Sequence, residues 1–340
     1  MNIVTPFTNT SIGVGFGTAA LGGNGHTVCT WALEAGFRKF DTAEENEYWY
    51  DQHSLGTALR DFFASVSSTE LEECNDMPTQ VCSLTTCQSA DVRVSTKIPP
   101  WSLTSAENIR SNAARSREEL LGFCQDQVFR DEGGQLIRAP FPLDVYYIHA
   151  PSCWKGWHPQ CDHAPPLLNL KEAWQAMEAV VGLDYSARRI GLSNIQPNEL
   201  LDIIQFVRKR QASGQTNPPP RIPDAVQIYA DPIEPAEEML RICREHGIEF
   251  VSYSTLGTQH RSGRGNPVLG SPVVKRIAQK HARSTAEVVL SWALQKGMSV
   301  IPRSTKKRHI QELARLLAEE DPTFLDKDDM KDIDAMKHSA

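Results

Sequence analysis

The sequence has no apolar run approaching the roughly 20 residues that span a bilayer, so it offers no membrane anchor. Its start, Met1-Asn2-Ile3-Val4-Thr5, lacks the basic stretch and apolar segment of a secretory leader. Without one, the glycosylation sequon Asn9-Thr10-Ser11 is disregarded. Positive charge is not in excess: 35 Lys and Arg against 42 Asp and Glu leave a net charge of −7, so no global field recruits nucleic acid or anionic lipid. The phosphate-binding turn of an open doubly wound sheet, Gly-x-Gly-x-x-Gly leading into a helix, is missing, because Gly15-Phe16-Gly17 runs on to Ala20. Cysteines are scattered. Cys153, His158, Cys161 and His163 lie close together but fit no common four-ligand zinc spacing. In a cytoplasmic protein, the expectation here, the eight cysteines are reduced, although a Cys82–Cys87 disulfide stays open.

What the chain has is alternation. Short β-branched or apolar runs at 38–41, 92–97, 143–149, 189–193, 225–229, 249–254 and 299–302 read as strands. Between them, 27–35, 54–63, 105–121, 170–181, 198–208, 235–246, 273–281, 285–295 and 309–317 have helical apolar spacing. Ser105 suits a helix N-cap, Pro197 a first turn and Gly247 a C-terminal stop. A last strand near Phe324 and a helix over 328–336 complete the series. About eight strand–helix alternations imply a parallel sheet, and strands this short suit a single closed (β/α)8 barrel. Three segments break the pattern: 64–90, 124–142 and 151–166. The last follows the C-terminal end of a strand and should overhang the rim, whereas the first precedes a strand and belongs at the opposite face.

Chemistry collects at strand ends. Asp41, Lys97, His149 and Ser193-Asn194 each close an apolar run, and in a barrel those ends converge on one rim. An acid, a base, an imidazole and an amide on one rim point to an enzyme.

In its order of motifs the chain resembles the aldo-keto reductase superfamily. The resemblance runs from about Gly13 to Met336 and rests on Gly15-Phe16-Gly17-Thr18, Phe40-Asp41-Thr42-Ala43, Leu55-Gly56-Thr57-Ala58-Leu59, Ser95-Thr96-Lys97, Asp144 through His149, Ile190 through Asn194, Gln227, Tyr253 through Gly257 and Ile301-Pro302-Arg303-Ser304. It implies a barrel that reduces a small-molecule aldehyde or ketone with NADPH, as a monomer or weak homo-oligomer. It also implies Asp, Tyr, Lys and His catalysts, here Asp41, Tyr50, Lys97 and His149. A phenol has an ordinary pKa near 10, and a neighbouring ammonium lowers it toward working pH. Lys97 supplies that ammonium, Asp41 holds it, and His149 orients the carbonyl.

The tyrosine's register is open. The family's usual spacing falls on Asn46, counting back from Gly56 gives Trp49, and a Trp-Tyr pair before the helix favours Tyr50 over Tyr48. Should neither donate the proton, double-bond isomerisation or dehydration on the same fold is the alternative, or a nucleotide-sensing regulatory subunit. The resemblance assigns cofactor contacts to Gly17, Thr18, Asp41, Ser193, Asn194, Gln227, Tyr253, Ser254, Leu256, Gly257, Arg303, Ser304 and His309. Arg303 stands where Lys is usual and suits a ribose 2′-phosphate. Leu313 replaces an Asn common at the adenine, and Ala150 replaces a Trp, which should widen the substrate side. Trp154 and Trp157 belong to a lid, and a specialised metabolite larger than a simple sugar is the expected substrate.

Overall fold

The computed structural model describes residues 12–44, 49–75, 87, 90–130, 136–163, 166–215, 217–260, 265–318 and 324–338. Asn9, Asn46, Tyr48 and Cys82 lie outside these residues.

In chain order the main elements are β1 (Phe16–Gly17), α1 (Gly25–Glu34), β2 (Lys39–Asp41), α2 (Gln52–Asn75), β3 (Arg93–Ile98), α3 (Ala106–Leu121), β4 (Gln127–Arg130), β5 (Leu136–Ala139), β6 (Leu143–Ile148), α4 (Leu170–Gly182), β7 (Ala187–Ser193), α5 (Pro197–Ala212), β8 (Ala225–Tyr229), α6 (Glu237–His246), β9 (Glu249–Tyr253), α7 (Pro272–His281), α8 (Thr285–Gln295), β10 (Ser299–Val300), α9 (Lys307–Ala318) and α10 (Lys327–Asp334). Eight strands form one parallel sheet in the order β1-β2-β3-β6-β7-β8-β9-β10. A parallel bridge from Val14 to Val300 joins its two ends. The seam is tight: a Cβ on Gly17 would stand 2.8 Å from the carbonyl oxygen of Ile301, so only glycine fits there. The result is a (β/α)8 barrel.

Local chemistry sets the helix boundaries. The Ser105 hydroxyl accepts from the Asn108 amide at 3.0 Å and starts α3. Reciprocal capping boxes, Asn169 with Glu172 and Ser284 with Glu287, start α4 and α8. Gly247 ends α6 with φ of 68°. Trp174 and Trp292 are fully buried in the core.

Four expectations change. The polar stretch after Phe63 does not leave the helix; α2 continues to Asn75. Within 124–142 an antiparallel hairpin forms, β4 on β5, outside the barrel sheet. Of the strand expected near Phe324, residues 319–323 lie outside the described residues and none forms over 324–326; the Phe324 ring is held by Arg283, 5.1 Å away, and by His281, 5.3 Å away. The cysteines are not all thiols. Cys87 bonds Cys124 and Cys153 bonds Cys161, because the fold brings together residues 37 and 8 positions apart. Cys87 is therefore taken by Cys124 rather than by Cys82. Cys29 and Cys243 are buried thiols, both pushed up to about 12 by burial. Among the described residues no helix is long and apolar enough to cross a membrane.

Candidate active site

The strand ends at one rim open into a cleft of about 630 Å³. Its floor holds the charged pair. Lys97 donates to Asp41 at 2.6 Å and to the Thr42 carbonyl at 2.7 Å, with only 1% of the lysine side chain exposed. The second Asp41 oxygen accepts from the Gln227 amide at 2.8 Å, and the Thr18 hydroxyl donates to the Asp41 carbonyl at 3.0 Å. Four strand ends thus tie the carboxylate and its surroundings in place. Lys97 itself lies beneath the lining of the cleft, and Asp41 forms the surface above it.

Tyr50 stands over this pair, with His149 beside it. The Lys97 ammonium is 5.3 Å from the centre of the Tyr50 ring, and the Tyr50 and His149 rings meet edge to face at 5.8 Å. Tyr50 lies two residues before α2, whose first turn is fixed by the intervening Asp51: its carboxylate accepts from the Ser54 amide at 2.9 Å and hydroxyl at 2.5 Å. The Trp49 carbonyl also accepts from the Ala20 amide.

Along the cleft, Ser193 donates to the Gln227 carbonyl at 2.9 Å, and Asn194 is held at both ends. Its amide donates to the His149 carbonyl at 2.9 Å, and its oxygen accepts from the Tyr253 hydroxyl at 2.6 Å. Asn194 and Ser254 both adopt φ of 53°, the left-handed turn that ends a strand sharply and aims the next residues across the rim. Burial pushes the Tyr253 phenol up to about 12, so it stays a neutral hydrogen-bond donor. Ser254, Leu256, Arg303, Ser304 and His309 line the cleft with Gly17 and Thr18. Gly257 does not line it; with φ of 74° and Val268 2.5 Å from a would-be Cβ, it shapes the loop that does.

A family model described as the Aldo/keto reductase family matches residues 138–338. The chain belongs to the aldo/keto reductase family. Similar relatives include a probable NAD(P)H-dependent D-xylose reductase of Emericella nidulans, 30% identical over 55% of this chain and 58% of its own length. Aldo-keto reductase family 1 member A1 of Bos taurus is 30% identical over 57% of each chain. These two matches thus span under three fifths of the relatives' lengths. A 9,11-endoperoxide prostaglandin H2 reductase of Trypanosoma cruzi is 26% identical over 88% of this chain and 80% of its own. Among solved structures, a Bombyx mori aldo-keto reductase in complex with NADP has a TM-score of 0.68 at 21% identity, over 96% of this chain and 88% of that one. That likeness establishes the fold.

Within the aldo/keto reductase barrel, several chain-specific features bear on the reading from sequence, and one of them corrects it. Ala150 does not widen the cleft: it is 1% exposed and packs with Trp101 and Trp157, so the lid indole fills the space. Leu313 is 3% exposed in the core and cannot meet an adenine. Cys153 and Cys161 bond each other, which removes them as zinc ligands, and no metal-holding group of three or more His, Cys, Asp and Glu occurs among the described residues. Trp49, of the Trp-Tyr pair, and Lys306, of the basic run 306–308, also line the cleft, as do Thr258, Gln259 and Thr305, whose only sequence signal was adjacency to assigned residues.

A second buried network lies below the Tyr50 segment. One Glu44 oxygen accepts from the Tyr146 hydroxyl at 2.6 Å and the Ser116 hydroxyl at 2.8 Å. Gln52 links Ser116, Glu119 and Thr96. Burial pushes the Glu44 carboxyl up from 4.5 to about 7, aided by Glu119 and opposed by those two hydrogen bonds and Arg115. The folded chain therefore keeps a proton that the unfolded chain releases, and stability falls as pH rises from 4.5 to about 7. Glu44→Gln keeps an acceptor for Tyr146 and Ser116 but removes the titration. Its melting temperature should pull ahead of the parent's by about 2 °C or more between roughly pH 5 and pH 8. Parallel melting curves across that range would reject a titrating Glu44 in the folded chain.

Proposed function

We propose that the protein is an NADPH-dependent carbonyl reductase that converts an aldehyde or ketone to an alcohol, acting on a specialised metabolite larger than a simple sugar. The observation that carries this reading is the buried Asp41–Lys97 pair, 2.6 Å apart, with the Lys97 ammonium under the Tyr50 ring and His149 edge-on to that ring. Charge grows on a carbonyl oxygen as a hydride arrives at its carbon. A proton donor beside a fixed ammonium, with an imidazole to share the charge, answers that need. Tyr50 gives the proton, Lys97 favours the phenolate that remains, Asp41 keeps Lys97 in place, and His149 orients the carbonyl.

The donor set fits a dinucleotide. Ser193, Asn194 and Gln227 offer hydroxyl and amide groups for a carboxamide, and Tyr253 offers an aromatic face. The 254–257 turn and the start of α9 suit phosphates, and Arg303 suits a ribose 2′-phosphate. When bound, NADPH supplies the hydride. The residues named here hold the carbonyl and move its proton.

The test is NADPH consumption over a panel of aldehydes and ketones, with product analysis. Matched NADPH loss and alcohol formation support the reading. Product without NADPH loss points to isomerisation or dehydration, and binding with no product to a sensor. Cofactor choice is tested separately. Arg303→Ala should weaken NADPH binding by about tenfold to a hundredfold, the worth of one or two charge-assisted hydrogen bonds, and NADH binding far less. Equal losses for both nucleotides would reject the 2′-phosphate role.

A further inference from the structure

Among the described residues, the exposed large hydrophobic side chains include two aromatics, Trp49 at 42% and Trp154 at 48%, and both line the active-site cleft. Single exposed apolar groups are ordinary on a protein surface, but two indoles on the rim of one concave site mark a surface that a ligand covers. Trp154 stacks on Trp157 with ring centres 3.8 Å apart and planes 13° apart. Trp157 in turn meets His149 edge to face at 5.2 Å. An aromatic wall therefore runs from the imidazole that orients the carbonyl out to solvent.

The wall is held rigid. The Cys153–Cys161 disulfide closes the loop that carries both indoles, Trp101 packs edge-on to Trp157 at 5.6 Å, and His158 stacks on Trp101 at 4.4 Å. A face fixed in advance loses little freedom when a ligand docks. Among the described residues it also carries no charged side chain of its own. The cations that line the cleft, Arg303 and Lys306, belong with His309 to the segment after the last barrel strand, and Asp41 is neutralised by Lys97. Lys155 sits beside Trp154 in sequence but does not line the cleft.

We infer that the substrate is an uncharged carbonyl compound with a flat, fused aromatic ring system, which lies against Trp154 and Trp49 while its carbonyl reaches His149 and Tyr50. This rests on the reductase reading above and narrows it. Among the described residues of this wall no cation awaits a carboxylate or phosphate on the ring, whereas a fused ring gains offset stacking on indole.

The experiment compares kcat/KM for naphthaldehyde, butanal and para-carboxybenzaldehyde in the parent, Trp154→Ala and Trp154→Phe. Naphthylmethanol, the uncharged product, is titrated calorimetrically against all three proteins. The parent should favour naphthaldehyde over both other substrates by at least about tenfold. Trp154→Ala should cut that preference by about fivefold to tenfold, through KM, and weaken naphthylmethanol equally, with partial rescue by Trp154→Phe. Parent rates for para-carboxybenzaldehyde or butanal that match naphthaldehyde overturn the inference. So does an unchanged naphthylmethanol affinity in Trp154→Ala. If no carbonyl is reduced but naphthylmethanol binds and Trp154→Ala weakens it, the aromatic site stands and the reductase reading falls.

Discussion

Tyr50→Phe should lower carbonyl reduction by a factor of about 10² to 10⁴, the range that one positioned general acid contributes, while NADPH still binds. The loss should fall on kcat, because phenylalanine keeps the ring that packs against His149 and removes only the oxygen. Single-turnover rates and a nucleotide titration on the same variant separate chemistry from binding. Tyr253 is the natural comparison. Its hydroxyl is committed to Asn194 and burial raises it to about 12, so Tyr253→Phe should disturb cofactor affinity more than the rate of proton transfer. A Tyr50→Phe enzyme with parental kcat would remove Tyr50 from the mechanism and return the question to Tyr48.

Asp41→Ala should be the most destabilising single change in the site. Lys97 has 1% of its side chain exposed, and without the carboxylate its ammonium keeps only the Thr42 carbonyl among the partners described above. Stranding a buried charge costs about 3–5 kcal/mol, whereas replacing both members of such a pair is often close to neutral. Asp41→Ala/Lys97→Met should therefore recover much of the stability lost in Asp41→Ala, yet both proteins should be inactive. Denaturant unfolding measures the first effect and NADPH consumption the second. A cost below about 1 kcal/mol for Asp41→Ala would mean that water reaches the lysine and the pair is not buried.

The barrel was legible because its strands are short, β-branched and separated by helices with clear starts. Ser105, Pro197 and Gly247 act at the positions their chemistry suggests. The strand-end rule also indicated where Asp41, Lys97, His149 and Asn194 would meet, since parallel strands end on one rim. What stayed hidden depends on partners far apart in the chain. Glu44 reads as one more charged residue until Tyr146, 102 positions away, donates to it. Cys87 and Cys124 carry no mutual signal in sequence. The extension of α2 to Asn75 was obscured by serine, threonine and glutamate, which read as loop when their neighbours are unknown. Ala150 taught the converse: a small residue predicts space only if nothing else moves in, and Trp157 does.

The cluster of Arg303 and Lys306 at the mouth has a kinetic meaning. A chain of net charge −7 repels a polyanionic nucleotide at long range, and these two cations give the cleft a local patch of opposite potential, where the proposed nucleotide would place its phosphates. On the reading proposed above, capture of the nucleotide is steered by these two cations, and added electrolyte should slow it by screening the attraction over roughly one Debye length.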